Sequence, residues 1–357
     1  MEEKEMNPAY RRAFRSCVYV VSAAFVFSIW VWSAESEHTS FSGDPRSTLS
    51  GLIHGTSHNP FVQRALIPII TRSLHAFLPE EDWTAFEAAL LTIPKVSKEV
   101  ERLKWEKGFL PEYIISLMLA FLGIVGWVFT VRALWSRLYL SSDLVTDAVP
   151  LIALIFLPPF FHVGTHYVYD FPALFFFTLG LVLMIRRDWK WFYPAFVLGC
   201  LNKETMVLLP LAFILLYSEK MDRRHLLRHA AAQVTIFTVI KILLVLHFSG
   251  NPGGVAEFHL FANIHTLLSG YTMETLLMIC LFAGLTLYDL RNKHFMLRRL
   301  LWLLLPLAAL VAMFALVTEA RDWLEVYPLV LFLCLHTLFF TVLKIPFRAL
   351  QLDAIVR

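Results

Sequence analysis

Apolar residues fall along this chain in long runs separated by short charged stretches. The runs at 13–33, 111–131, 146–162, 170–187, 229–248, 272–290, 299–318 and 325–343 approach the roughly 20 residues that carry a helix across a bilayer's hydrocarbon. The stretch 191–217 differs, being apolar except for Asn202, Lys203, Glu204 and Thr205 at its centre. It reads either as one span with charges at mid-membrane or as a hairpin of two short helices turning at Asn202.

Flanking charge separates the two readings. With a hairpin, Arg186, Arg187 and Lys190 precede it, and Lys220, Arg223, Arg224 and Arg228 follow it, on one side. Arg291, Lys293, Arg298, Arg299, Lys344, Arg348 and Arg357 then share that side, while the opposite loops 249–271 and 319–324 carry only Arg321. Cytoplasmic loops are the basic ones, so the hairpin is preferred. A single span would invert this balance and hold Lys203 and Glu204 at mid-membrane, at about 2.5–3.5 kcal/mol for such a charge. The pattern therefore predicts an all-α polytopic membrane helix bundle, one integral membrane domain over 1–357. It has eight full spans plus one re-entrant helical hairpin, with both termini cytoplasmic. Non-helical backbone at that depth is tolerated against protein or a wet cavity, so the Asn202 turn is expected beside a cavity open to the outside.

The first span follows Lys4, Arg11, Arg12 and Arg15 and runs on into Glu35-Ser36-Glu37-His38 with no small-residue cleavage pattern, which reads as an uncleaved span. The segment 34–110 then faces the periplasm or exterior as a largely helical loop. Within it, 61–78 reads as an amphipathic or interfacial helix interrupted near Pro68, 83–93 as a second helix, and 95–107 as a solvated, charge-alternating helix face.

Composition agrees with a bilayer as solvent. Of 357 residues, 58% are hydrophobic, 15% aromatic and 17% charged, and mean hydropathy is +0.63. Soluble domains average about 25% charged, so an ordinary cytosolic enzyme is excluded, as are disordered and disulfide-built chains. A net charge of +3 gives no case for nucleic acid. Cys17, Cys200, Cys280 and Cys334 all lie in apolar runs and read as small buried hydrophobes.

Under this topology the outer face collects the chemistry. It holds Asp44, Arg46, His54, His58 and Arg64, then His162, His166, Tyr169 and Asp170. Lys203 and Glu204 follow at the hairpin tip, then Glu257, His259 and His265, and Glu319, Arg321, Asp322 and Glu325. Acids, bases and histidines gathered beside a broken helix make a site hypothesis. Each has a plainer reading. Asp44 in Ser-Gly-Asp-Pro-Arg suits a turn or helix N-cap. His54 with His58, and His162 with His166, are each four apart and could share a helix face toward a metal, although Gly55 and Asn59-Pro60 weaken the first helix. Lys203 with Glu204, and Arg321 with Glu319 or Asp322, suit local ion pairs.

Five stretches resemble the GT-C superfamily, the integral membrane glycosyltransferases that use polyprenyl-phosphate-linked sugars, and in particular its bacterial mannosyltransferase-like members. They are Gly43-Asp44-Pro45-Arg46 after the first span; Asn59-Pro60-Phe61-Val62-Gln63-Arg64-Ala65-Leu66-Ile67-Pro68; and Tyr169-Asp170-Phe171-Pro172 opening a span. The others are Leu201-Asn202-Lys203-Glu204-Thr205 with Leu208-Leu209-Pro210, and Glu319-Ala320-Arg321 before the last span. The resemblance implies an inverting transfer from a polyprenyl-phosphate-linked sugar to a glycan, lipid or protein acceptor at the outer face of a bacterial inner membrane, for the cell envelope. It places Asp44, or else Asp170, as the carboxylate base. Arg64, Lys203 and Arg321 become the cations for the lipid phosphate, with Glu204 orienting Lys203. No cofactor is required, with a divalent metal at His54, His58, His162 or His166 left open. Membrane lipids are the other expected partners. A lipid or sugar transporter or flippase, a polysaccharide polymerase or ligase, and a non-catalytic membrane-complex subunit remain alternatives.

Overall fold

The computed structural model describes residues 7–34, 41, 44–161, 166–270 and 272–350. Helix α1 (Pro8–Ser33) starts where the Asn7 side chain accepts from Ala9 N–H at 2.9 Å, with proline in the first turn, two devices that satisfy or dispense with orphan donors. The outer segment then supplies α2 (Leu49–His54), α3 (Leu66–His75), α4 (Glu80–Leu91) and α5 (Pro94–Arg102). The predicted break at Pro68 is corrected here: Pro68 lies in the first turn of α3, where a missing N–H costs nothing, and the interruption falls earlier, at Arg64–Ala65.

The apolar runs form α6 (Leu110–Leu138), α7 (Asp143–Ile155), α8 (Asp170–Ile185), α9 (Trp189–Asn202), α10 (Leu208–Tyr217) and α11 (Arg223–His247). They continue as α12 (Leu260–Ser269), α13 (Met273–Leu287), α14 (Phe295–Leu300), α15 (Leu304–Phe314) and α16 (Tyr327–His336), the last extended by a π-helical turn over Thr337–Val342. Helix accounts for nearly all regular structure. The strands among the described residues are β1 (Tyr139–Leu140) and β2 (Arg348–Ala349), paired antiparallel. Among the described residues, five helical stretches are long and apolar enough to cross a membrane: Pro8–Ser33, Leu110–Leu138, Asp143–Phe161, Arg223–His247 and Phe295–Phe314. The other apolar runs give shorter helices. The 16 residues of α8 span about 24 Å at 1.5 Å each.

The chain reverses between α9 and α10. Trp189 at the start of α9 packs on Phe213 and Tyr217 near the end of α10, ring centroids 5.6 and 6.2 Å apart. The two ends of the 191–217 stretch are therefore together, with Lys203 at its tip.

Helices α6 and α8 form the centre. A Cβ on Gly123 would lie 2.7 Å from Pro172 N, and one on Gly126 would lie 2.8 Å from the Phe175 ring. These glycines let α8 approach closely, which sets where Asp170 sits at its start. Around them Trp127 and Trp135 are fully buried. At the end away from Asp170, Asp147 of α7 accepts from Arg132 of α6 at 2.7 Å and from Arg15 of α1 at 3.4 Å, and its carbonyl accepts from Tyr19. Lys293 there is buried and donates to the carbonyls of Leu285, Thr286 and Leu333 at 2.6–2.9 Å, satisfying acceptors that the end of α13 leaves without intrahelical partners.

Candidate functional site

The start of α8, the tip between α9 and α10, and the turn before α16 meet at one end of the bundle. Asn202, the last residue of α9, donates from Nδ2 to Tyr169 O at 2.9 Å and pins the tip to α8. Lys203 follows in extended conformation (φ −154°, ψ 144°). Its Nζ lies 3.3 Å from Glu325 Oε1, 3.8 Å from Asp170 Oδ1 and 3.9 Å from Asp322 Oδ1. Arg321 Nη1 stands 3.5 Å from the other Asp170 oxygen, and the same guanidinium hydrogen-bonds Glu319. Glu325 accepts from the Thr205 hydroxyl. Asp170 and Glu325 are wholly buried and Lys203 is 2% exposed. Two cations thus face four carboxylates. Most of these separations exceed good hydrogen-bond geometry, and both Asp170 oxygens and Lys203 Nζ make no hydrogen bond.

A second ion group lies beside the first. Arg64 donates to Glu204 through Nη2 at 2.6 Å and Nε at 3.3 Å, and its Nη1 donates to the Tyr169 hydroxyl. Lys241 Nζ of α11 is 3.9 Å from Glu204 Oε2. The expected Lys203–Glu204 pair is not formed, and Glu204 does not orient Lys203. On extended backbone neighbouring side chains leave on opposite sides, so the two residues serve different clusters. Of the two expected local pairs, Arg321–Glu319 is present. Of the three expected cations, Arg64 lies 4.5 Å over the Tyr169 ring and Arg321 4.4 Å over Tyr167, rings that stack at 4.9 Å, whereas Lys203 stands with Arg321 against Asp170.

Asp44 caps the short 3-10 turn Pro45–Ser47, accepting from Arg46 N–H at 2.9 Å, and its carboxylate takes the Arg46 guanidinium at 2.7–3.1 Å. Partial burial raises the pKa of Asp44, but the Arg46 hydrogen bonds and charge outweigh it and hold the carboxyl below the ordinary carboxylate value. Arg46 also donates to Glu257 at 2.6 Å, and Glu257 lies 3.2 Å from His259 Nε2. The ring of Phe61 joins this group to the others. Arg46 lies 5.5 Å from its centroid and Arg64 5.7 Å, while Tyr167 stacks on it at 6.1 Å and accepts or donates a 2.9 Å bond to Ser47. The loop after α11 fastens this stretch, since Asn251 donates to the carbonyls of Gly55 and Ser57 at 2.8 Å.

His54 and His58 do not share a helix face as expected. His54 ends α2, because Gly55 turns left-handed (φ 72°) and stops the helix before His58. His54 instead lies 3.6 Å from buried Glu112, with His75 at 3.9 Å from the same oxygen, away from His58, whose N–H donates to Arg46 O. His162 lies outside the described residues. His166 is buried against Trp30, Phe41 and Phe161, with Nε2 2.9 Å from the Ser33 hydroxyl, a packed core position. Among the described residues no group of three or more His, Cys, Asp or Glu side chains is arranged to hold a metal ion. A cleft of about 340 Å³ lies between α4 and the start of α6, lined by His75, Trp83, Glu87 and Lys107, and none of the charged cluster reaches it.

Lys241 is the residue that sequence reasoning passed over, although the signal was present: it is the one Lys, Arg, Asp or Glu in 229–248, and an ionisable residue inside an apolar span is a functional candidate in its own right. Set against protein-family models, curated proteins and solved structures, the chain matches none of them.

Proposed function

We propose that this chain is a polytopic membrane glycosyltransferase of the GT-C kind, transferring a sugar from a polyprenyl-phosphate donor to a glycan, lipid or protein acceptor at the outer face of a bacterial inner membrane. The observation that carries the reading is the pair of arginines on the Phe61 ring. Arg46 holds Asp44, Arg64 is free to meet an anion once Glu204 moves, and both flank one aromatic side chain. In this reading the carboxylate base, held by Arg46, and the phosphate-matching cation Arg64 approach each other across the Phe61 ring. A polyprenyl donor would keep its tail in the bilayer there and its sugar at the water boundary.

In this reading Asp44 takes the proton of the acceptor hydroxyl as that oxygen attacks the anomeric carbon from the face opposite the phosphate. The bond from the anomeric carbon to the phosphate oxygen breaks, configuration inverts, and polyprenyl phosphate leaves with its charge met by Arg64. Asp44 is ionised throughout the neutral range and partly exposed. Asp170 is wholly buried between Lys203 and Arg321, so it serves as a positioning residue. Lys203 and Arg321, facing four carboxylates, lock the hairpin tip to α8 and α16. The reading calls for no cofactor. It takes eight spans and the re-entrant hairpin, with both termini cytoplasmic, on the support of the basic inner loops and the α9–α10 reversal.

One observation favours a second reading. A lysine buried among three carboxylates at a broken helix also suits a transporter that exchanges protons or cations. The test is to incubate the purified protein in liposomes with a radiolabelled polyprenyl-phosphate sugar. Transfer or release of the sugar supports the enzyme, and movement of the intact donor or of ions without bond cleavage supports the transporter.

A further inference from the structure

Lys241 lies in α11 about 9 Å before that helix ends, at 1.5 Å per residue. Its neighbours Ile242, Leu243 and Leu246 are exposed on the outside of the bundle, the surface a bilayer would cover. An ammonium at such a position is costly unless paired. Its anion is Glu204, at 3.9 Å. Glu204, however, is already held by the Arg64 fork through both of its oxygens. Two cations therefore share one carboxylate. The adjoining cluster has the opposite balance, with Lys203 and Arg321 facing Asp170, Glu319, Asp322 and Glu325. Excess positive charge at this end thus belongs to the lipid-side seam between α11 and the hairpin tip. The Glu204 side chain is 43% exposed, against 12% for Arg64 and 17% for Lys241, so the carboxylate has room to leave while the cations stay.

A guanidinium fork that grips two carboxylate oxygens grips two phosphate oxygens in the same geometry, and a lysine adds a point charge beside it. We infer that Arg64 and Lys241 form a site for the phosphate headgroup of a membrane lipid, in which Glu204 is an internal stand-in that the phosphate displaces. The inference rests on reading this end as a lipid-phosphate site but needs no transfer chemistry.

The test is a binding titration of the purified full chain in uncharged detergent with farnesyl phosphate, farnesol and inorganic phosphate, alongside melting curves. Farnesyl phosphate is expected to bind, farnesol not, and inorganic phosphate far more weakly. Lys241→Met should weaken farnesyl phosphate about tenfold or more, as for loss of a charged hydrogen-bond partner. Glu204→Gln should strengthen it severalfold, and farnesyl phosphate should raise the melting temperature of Glu204→Gln more than that of the wild type. That variant decides the matter even where Lys241→Met does not fold. Weaker binding to Glu204→Gln, with no extra thermal gain, would make the triad a structural ion group and overturn the proposal. Equal affinity for inorganic phosphate would overturn the lipid as its source. Binding as expected in a protein that transfers no sugar would remove the glycosyltransferase reading and leave this one standing.

Discussion

Arg64 and Glu204, 140 residues apart in the chain, meet through a two-point contact whose shorter arm is 2.6 Å. The backbone repeats the link one residue on, where Ala65 N–H donates to Leu201 O at 2.9 Å. The segment 61–66 is therefore anchored on the hairpin tip by a side-chain and a backbone contact.

Lys203 should behave as a structural residue. Lys203→Met leaves Asp170 and Glu325 buried beside a lost cation, a change that costs about 3–5 kcal/mol when one partner of a buried pair is removed. Lys203→Met with Glu325→Leu should recover much of that loss, since the nearest carboxylate goes with the cation and Asp170 keeps Arg321. Thermal melts of both variants in one detergent check this; equal melting temperatures for wild type and Lys203→Met would show that the ion cluster does not hold the tip.

The close crossing of α6 and α8 should tolerate no added methyl at Gly123. A Cβ there meets Pro172 N at 2.7 Å, and backbone cannot move aside as a flexible side chain can. Gly123→Ala should cost about 1–3 kcal/mol through overpacking and shift Asp170 at the start of α8. A melting temperature within error of the wild type would contradict the packing described.

Asp44 supplies a pH signature. Its folded pKa lies below the ordinary carboxylate value, so its contribution to stability is fully present above about pH 3.9 and is lost as pH falls through the folded value. The pair with Arg46 is half-exposed, so the contribution is about 0.2–1 kcal/mol. The difference in melting temperature between wild type and Asp44→Asn should be constant from pH 7 to 5 and should shrink toward pH 2. A difference that grows on acidification would reverse the sign of the argument.

The proposed sidedness, with the hairpin tip outside and its two ends inside, gives a labelling test. In a background with the exposed Cys17 and Cys280 replaced, a membrane-impermeant thiol reagent added to intact spheroplasts should label Glu204→Cys. Arg224→Cys should react only after the membrane is opened. Labelling of both from one side would remove the hairpin topology.

Much of this arrangement was legible in the hydrophobic pattern. The runs marked the helices, and the basic flanks of 191–217 marked the reversal that Trp189, Phe213 and Tyr217 complete. Partner choice was not legible. Lys203 and Glu204 are adjacent, and only the extended backbone at Lys203 sends them to different clusters. The spacing of His54 and His58 suggested a shared face, but one left-handed glycine between them ends the helix. Lys241 was visible as a lone charge in an apolar run, yet its meaning depended on Glu204 arriving from the hairpin, a tertiary contact that no local pattern encodes.

The central claim is that Asp44 and Arg64 flank a glycosyl-transfer site. The most direct measurement is the turnover of a polyprenyl-phosphate sugar by purified wild type and Asp44→Asn, with folding checked by melting curve. The account predicts transfer by the wild type and a loss of about 10²–10⁴-fold in Asp44→Asn with the fold retained. Transfer by a folded Asp44→Asn at the wild-type rate, or none by the wild type across polyprenyl-phosphate sugars, would contradict it.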